Sequence, residues 1–144
     1  MGLTIVGCGY LGEAVARQLQ PRRTVLPLTL TTIVTERHAA LRDLADQLLL
    51  CDATDPSQLL VALQRNHTAV FCMAPRGNQQ VNADGYRQTF VDSFRCLRSL
   101  LPDLPHLRQI IYTGSCSVYG DAEGDWVDES TAPAAGTGHG AVLL

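Results

Sequence analysis

Lysine is missing from this 144-residue sequence, in which all eleven basic residues are arginine. That absence excludes every mechanism in which a lysine of this chain relays a proton, forms a Schiff base or clamps a phosphate. Basic runs are missing too, and the formal net charge is −3, so a nucleic-acid surface, which needs clustered cations, is not expected. Small anionic ligands stay open. No stretch approaches the ~20 consecutive apolar residues that cross a bilayer, and no basic run precedes an apolar core at the N-terminus, so neither a membrane partner nor a signal peptide is expected. The five cysteines, Cys8, Cys51, Cys72, Cys96 and Cys116, stand 20 or more residues apart. That spacing gives neither a metal knuckle nor a disulfide framework. No metal is expected, and reduced thiols in the cytoplasm are the plain reading. The length suits a single domain that buries about two-thirds of its unfolded surface.

What is present alternates regularly. Leu3-Thr4-Ile5-Val6 is a short apolar run that stops at glycine, as a strand buried on both faces does. Gly7-Cys8-Gly9-Tyr10-Leu11-Gly12 follows, then a helical pattern with Leu11, Val15 and Leu19 on one face, stopped by Pro21. A second strand is expected within Thr24 to Val34. A helix begins near Thr35-Glu36 with Leu41, Leu44, Ala45 and Leu48 at helical spacing, and a third strand covers Gln47 to Cys51. Asp55 caps a helix from Pro56 to Arg65, and Thr68 to Met73 is a fourth strand. After a polar loop, Arg76 to Asn82, a long helix carries Phe90, Val91, Phe94, Leu97 and Leu101, and Gln109 to Tyr112 supplies a fifth strand. Strands alternating with helices at this spacing imply a Rossmann-like, doubly wound parallel sheet of about five strands in three αβα layers. Beyond Tyr119 no strand is evident. Residues 121–144 read as an irregular tail whose last four residues resemble the first turn of a helix.

In a G-x-G-x-x-G turn between strand and helix, the first glycine makes the turn and the second admits a pyrophosphate to the backbone. The third lets helix and strand pack closely, and the helix N-terminus supplies partial positive charge. Gly7, Gly9 and Gly12 fill these places, and with Tyr10 and Leu11 they are the expected cofactor contacts. The plainer reading is that the glycines only pack the sheet. An acidic residue about 20 positions on would bind the ribose 2′-hydroxyl of NAD, but the chain has Leu30-Thr31-Thr32 there and no carboxylate before Glu36. Thr31 is therefore a candidate for a 2′-phosphate, with Arg37 or Arg22 as counter-charge. This tilts the reading from NAD toward NADP and leaves both open.

Four stretches resemble the extended short-chain dehydrogenase/reductase family, in particular its NAD(P)-dependent epimerase/dehydratases of nucleoside-diphosphate sugars. They are Gly7 to Gly12, Cys51-Asp52-Ala53-Thr54-Asp55-Pro56, Val70-Phe71-Cys72-Met73-Ala74, and Ile111 to Gly120 with its Thr113-Gly114-Ser115. The resemblance implies that Asp52, with Ala53 beside it, meets the adenine, that Ala74 and Pro75 line the cofactor channel, and that Ser115 is the catalytic serine. Asp52 also reads as a strand-end turn residue, and Ser115 as a hydroxyl serving its own turn. Family chemistry rests on a Tyr-x-x-x-Lys pair some 20 or more residues beyond the serine. Here that region reads Ala134-Ala135-Gly136-Thr137-Gly138-His139-Gly140, with neither residue. His139 is a possible base or simply surface. Two other acid–base routes are a water held by Ser115 and Asp128, and thiol chemistry at Cys116, unless Cys116 is a small buried hydrophobe.

The expectation is thus a cofactor-binding half of an oxidoreductase, inactive as this chain alone. The alternative is a non-catalytic dinucleotide sensor or protein-interaction module. The resemblance further implies an uncovered sheet face and an exposed helix stripe at 86–101, hence a homodimer through Phe90, Phe94 and Leu97.

Overall fold

The computed structural model describes residues 2–75, 83–120, 123–136 and 138–144; the polar loop expected from Arg76 to Asn82 lies outside them. Five strands form one parallel sheet: β1 (Leu3–Val6), β2 (Leu28–Thr32), β3 (Gln47–Leu50), β4 (Thr68–Phe71) and β5 (Gln109–Tyr112). Their order is β3-β2-β1-β4-β5. The chain winds outward from β1 to β3, crosses over, and continues from β4 to β5 on the other side. Register places Ile5 beside Leu30 on one flank and beside Val70 on the other.

Alternation along the strands divides the core in two. Ile5, Leu28, Leu30, Val70 and Cys72 face a layer formed by α1 (Tyr10–Leu19) and α2 (His38–Leu41), with Ala16, Leu41 and Leu44 packed among them. Val6, Ala69 and Phe71 face the opposite layer, α3 (Pro56–Leu63) and a long helix, with Leu59, Leu63, Cys96, Leu97 and Leu100. Asp55 caps α3 as its position before Pro56 suggests, accepting from the N–H groups of Ser57 and Gln58. A buried polar tie joins the layers: Asn66 Nδ2 donates to the hydroxyls of Thr4 at 2.7 Å and Thr29 at 3.1 Å, and Thr4 passes its own hydrogen to Ala62 O at 2.8 Å.

Several expectations are corrected. On α1 Val15 and Leu19 pack on the core as expected, beside the buried Gly12 and Ala16, while Leu11 is 46% exposed. The helix expected from Thr35 is a series of short turns around the four-residue α2, since Leu48 belongs to β3. The long helix consists of α4 (Ala83–Tyr86), a π-helical stretch Arg87–Asp92 and α5 (Ser93–Leu100). Its stripe is not left outside. Leu97 is buried, Phe94 lies between Phe71 and Tyr112 with ring centroids 5.0 and 5.1 Å away, and only Leu101 is exposed. The tail carries α6 (Gly138–Leu143), three residues earlier than the sequence suggests. No helix of the described residues is long and apolar enough to cross a membrane.

Candidate functional site

The strand order reverses between β1 and β4, so the loops leaving their C-terminal ends splay apart and open a crevice, the place where ligands bind in open α/β sheets. The loop after β1 is the glycine turn. Gly7 adopts φ +80°, and a Cβ there would lie 2.8 Å from the Met73 Cα. Gly12 brings α1 onto β1, since its Cβ would stand 3.0 Å from Ile5 Cγ2 and 3.3 Å from Gly7 O. Gly9 faces open space, with nothing within 4 Å of a Cβ. It is the N-cap of α1 and offers no side chain to that helix's first turn, so the first amides are available to an anion. Tyr10 and Leu11 turn their side chains outward, 93% and 46% exposed, and leave their backbone at the crevice. Each glycine thus has the geometry that a pyrophosphate cradle requires of it.

Thr31 holds this turn from beneath. Its hydroxyl accepts from Gly7 N–H at 3.0 Å and its carbonyl from Cys8 N–H at 2.7 Å. It is fully buried, so the contact with a ribose 2′-phosphate expected of it is corrected to a supporting role. Arg22 is corrected as well: it follows α1 at the end remote from the glycine turn, across a ten-residue helix about 15 Å long. Arg37 does reach the first turn of α1, beside the glycine turn. Its Nη2 meets Glu13 Oε2 at 2.5 Å, while Glu13 Oε1 takes Arg17 at 2.7 Å. The Arg17 hydrogen bond is the main reason that Glu13 sits below the ordinary carboxylate range.

The other candidates follow the C-terminal ends of β3, β4 and β5. Asp52 follows β3, half-buried, and its Oδ1 accepts from the Thr54 N–H at 3.0 Å and hydroxyl at 2.7 Å; Ala53 is buried beside it. Ala74 and Pro75 leave β4 next to Met73, against which Gly7 packs. Thr113 continues β5 and donates to Phe71 O through both its N–H and its hydroxyl, each at 3.1 Å, bringing the next residues alongside the end of β4. Ser115 is exposed there. Its hydroxyl donates to Ser117 Oγ at 3.0 Å and accepts from Ser117 N–H at 3.2 Å, capping a short 3-10 turn. The turn role foreseen for Ser115 is therefore real and coexists with an exposed position.

Sequence reasoning undervalued His139. Its ring stacks on Tyr86 with centroids 4.1 Å apart at 11°, extending a chain of aromatic contacts through Phe90 to Tyr112. The neighbouring Gly140 is buried so closely against the Ser115 turn that a Cβ would stand 2.3 Å from Ser117 O. The alternative route through Asp128 loses support. Asp128 spends its Oδ1 on Ser130 and Thr131 within its own turn. Cys116 is exposed rather than a small buried hydrophobe, and the other four cysteines are buried. Burial pushes the Cys8 thiol up to about 11 and Cys51 to about 12, keeping both protonated. Among the described residues no group of three or more His, Cys, Asp or Glu comes together to hold a metal ion.

A parallel sheet with a glycine cradle over its switch point defines a dinucleotide-binding α/β protein. The chain belongs to the NAD dependent epimerase/dehydratase family, whose model it matches over residues 3–140. It is 30% identical over 138 residues to D-erythronate dehydrogenase of Cupriavidus necator, a match that takes in 88% of this chain and 42% of that protein. Its fold is shared with dTDP-glucose 4,6-dehydratase of Bacillus anthracis, solved with NAD, at a TM-score of 0.78 and 14% identity, over 99% of this chain and 47% of that one. A UDP-galactose 4-epimerase structure gives a TM-score of 0.77 at 15% identity, over 99% and 48%. The chain spans less than half the length of each of these relatives.

Proposed function

We propose that this chain is the cofactor-holding part of an epimerase/dehydratase-type oxidoreductase. The carrying observation is Gly9, an uncapped helix start with open space where a side chain would be. In this reading the amides of Tyr10, Leu11 and Gly12 hold the pyrophosphate, Asp52 and Ala53 border the adenine, and Ala74 and Pro75 line the path to the nicotinamide. The bound nicotinamide supplies or accepts the hydride. Ser115 turns its hydroxyl from Ser117 to the oxygen of the substrate carbon that is oxidised, orienting that carbon. The substrate class is a sugar-like hydroxyl compound, in free acid form as the name D-erythronate dehydrogenase suggests, or as a nucleotide sugar. With no lysine in the chain to lower a tyrosine pKa, proton removal is the missing function, and the chain alone is inactive. The five unpaired thiols suit the reducing cytoplasm.

NADP is the finer reading of the cofactor, with Arg37 as the only one of the two candidate arginines placed to meet its 2′-phosphate. A homodimer is also proposed. Since the 86–101 stripe packs inward, the surface available to it is β5, whose Ile110 and Ile111 are each 42% exposed.

Titration with NADH and NADPH by fluorescence or calorimetry tests the binding, and absence of saturable binding below about millimolar defeats it. A second reading, a dinucleotide sensor without catalysis, is favoured by the same lack of an acid–base pair. Exchange of labelled hydride with sugar acids and nucleotide sugars separates the two, because turnover by this chain removes the sensor reading.

A further inference from the structure

We infer that Glu13 sets the balance between the two cofactor forms by occupying Arg37 where the 2′-phosphate of NADP would bind. The inference rests on the dinucleotide reading above and concerns a residue that neither the glycine pattern nor the resemblance singles out.

Arg37 lies in the turn that follows β2, and the adenosine ribose of a dinucleotide on the glycine turn comes to the end of that strand. The Arg37 side chain folds back over the turn to Glu13 in the first turn of α1. Glu13 follows Gly12 directly in the chain, so the pair sits beside the glycine turn and not at a distant edge. Glu13 divides its carboxylate, giving Oε1 to Arg17 Nε and Nη2 at 3.1 and 2.7 Å and Oε2 to Arg37 Nη2. Arg37 is therefore held through one corner only. Its Nε is buried and has no hydrogen-bond partner among the described residues.

A guanidinium presents a planar fork suited to an anion with two oxygens side by side. A 2′-phosphate meets that need once the guanidinium turns from Glu13 and frees the buried Nε, whereas Glu13 is tied to α1 and also serves Arg17. To bind there, however, the phosphate has to displace a carboxylate from Arg37. NAD, which carries only a hydroxyl at that position, meets no such obstacle. No other carboxylate occurs between Gly12 and the end of β2, so Glu13 is the one acidic side chain of that segment that can oppose the phosphate.

The test titrates wild type, Glu13→Gln, Arg37→Gln and the double variant with NADH and NADPH, and with the fragments 5′-AMP and adenosine 2′,5′-bisphosphate. Both side chains are partly solvent-exposed, and exposed pairs contribute little to folding, which thermal melts verify. Glu13→Gln is expected to tighten NADPH and the bisphosphate about tenfold, the scale of one charge-assisted hydrogen bond, and to leave NADH and 5′-AMP unchanged. Arg37→Gln weakens NADPH toward the affinity of NADH, and in that background Glu13→Gln has no effect. An equal change for both cofactors in Glu13→Gln, no change at all, or a gain that survives Arg37→Gln overturns the inference and leaves dinucleotide binding intact. A wild type that melts as a folded protein yet binds neither cofactor overturns the dinucleotide reading itself, and this inference with it.

Discussion

Gly7 and Gly9 stand two residues apart and respond oppositely to the same added methyl. At Gly7 the positive φ and the Met73 backbone 2.8 Å away make alanine strained and crowded, so Gly7→Ala is expected to destabilise by about 1–3 kcal/mol, read as a lowered urea midpoint. At Gly9 a methyl meets nothing, so Gly9→Ala costs only the difference between the two as N-cap, under about 1 kcal/mol, and loses the cofactor. The carboxylates make a separate prediction. Asp46 lies below its ordinary range chiefly because it accepts the Leu28 N–H at 2.7 Å, with Arg23 adding to it. A folded pKa below the unfolded one means that the stabilisation is complete above the usual carboxylate range and is lost as pH falls through the lowered value. The urea midpoint should therefore fall as pH drops below about 4, and Asp46→Asn should flatten that fall while lowering the midpoint at neutral pH. The glycines were legible in sequence because their spacing encodes backbone geometry. Thr31 was misread because a threonine near the end of β2 looks the same whether its hydroxyl faces a ligand or, as here, Gly7 N–H. Glu13 and Arg17 have the i, i+4 spacing of an ordinary surface helix pair, and only the fold brings Arg37 to Glu13.

Among the elements, β1 and β5 have the bounds that their apolar runs suggest, because Gly7 ends one and the Pro102–Pro105 segment precedes the other. The helix expected from Thr35 failed for a physical reason: Leu41, Leu44 and Ala45 do face the core, yet Leu48 reaches it from a strand, and apolar spacing alone cannot tell these apart. The long helix shows the converse. Its stripe was recognised, but its partner was not, since contacts such as Phe94 with Phe71 and Tyr112 join residues far apart in sequence. Phe94→Ala opens that contact and should destabilise by about 2–4 kcal/mol. A shift under about 0.5 kcal/mol in denaturant unfolding, the size expected of a surface substitution, would show the ring to be peripheral. The docking of α6 through His139 and Gly140 had no sequence signal beyond the glycines themselves, which read equally well as a loose tail.

For the molecule as a whole, the parallel sheet and its layering followed from the alternation of elements, and the strand order that the structure adds places the crevice between β1 and β4. All four residues of β5 are exposed, including Ile110, Ile111 and Tyr112, and an apolar edge of this kind favours association. Light scattering should show concentration-dependent dimers at tens of micromolar (order of magnitude), reversed by Ile111→Lys; a wild-type monomer throughout that range contradicts the dimer. The central claim is that the glycine cradle holds a dinucleotide, and the most direct measurement is calorimetric titration of this chain and of Gly9→Ala with NADH and NADPH. The wild type is expected to show saturable one-site binding, lost in Gly9→Ala, which still melts cooperatively as a folded protein. No saturable binding of either cofactor below about millimolar, or equal binding by Gly9→Ala, would contradict it.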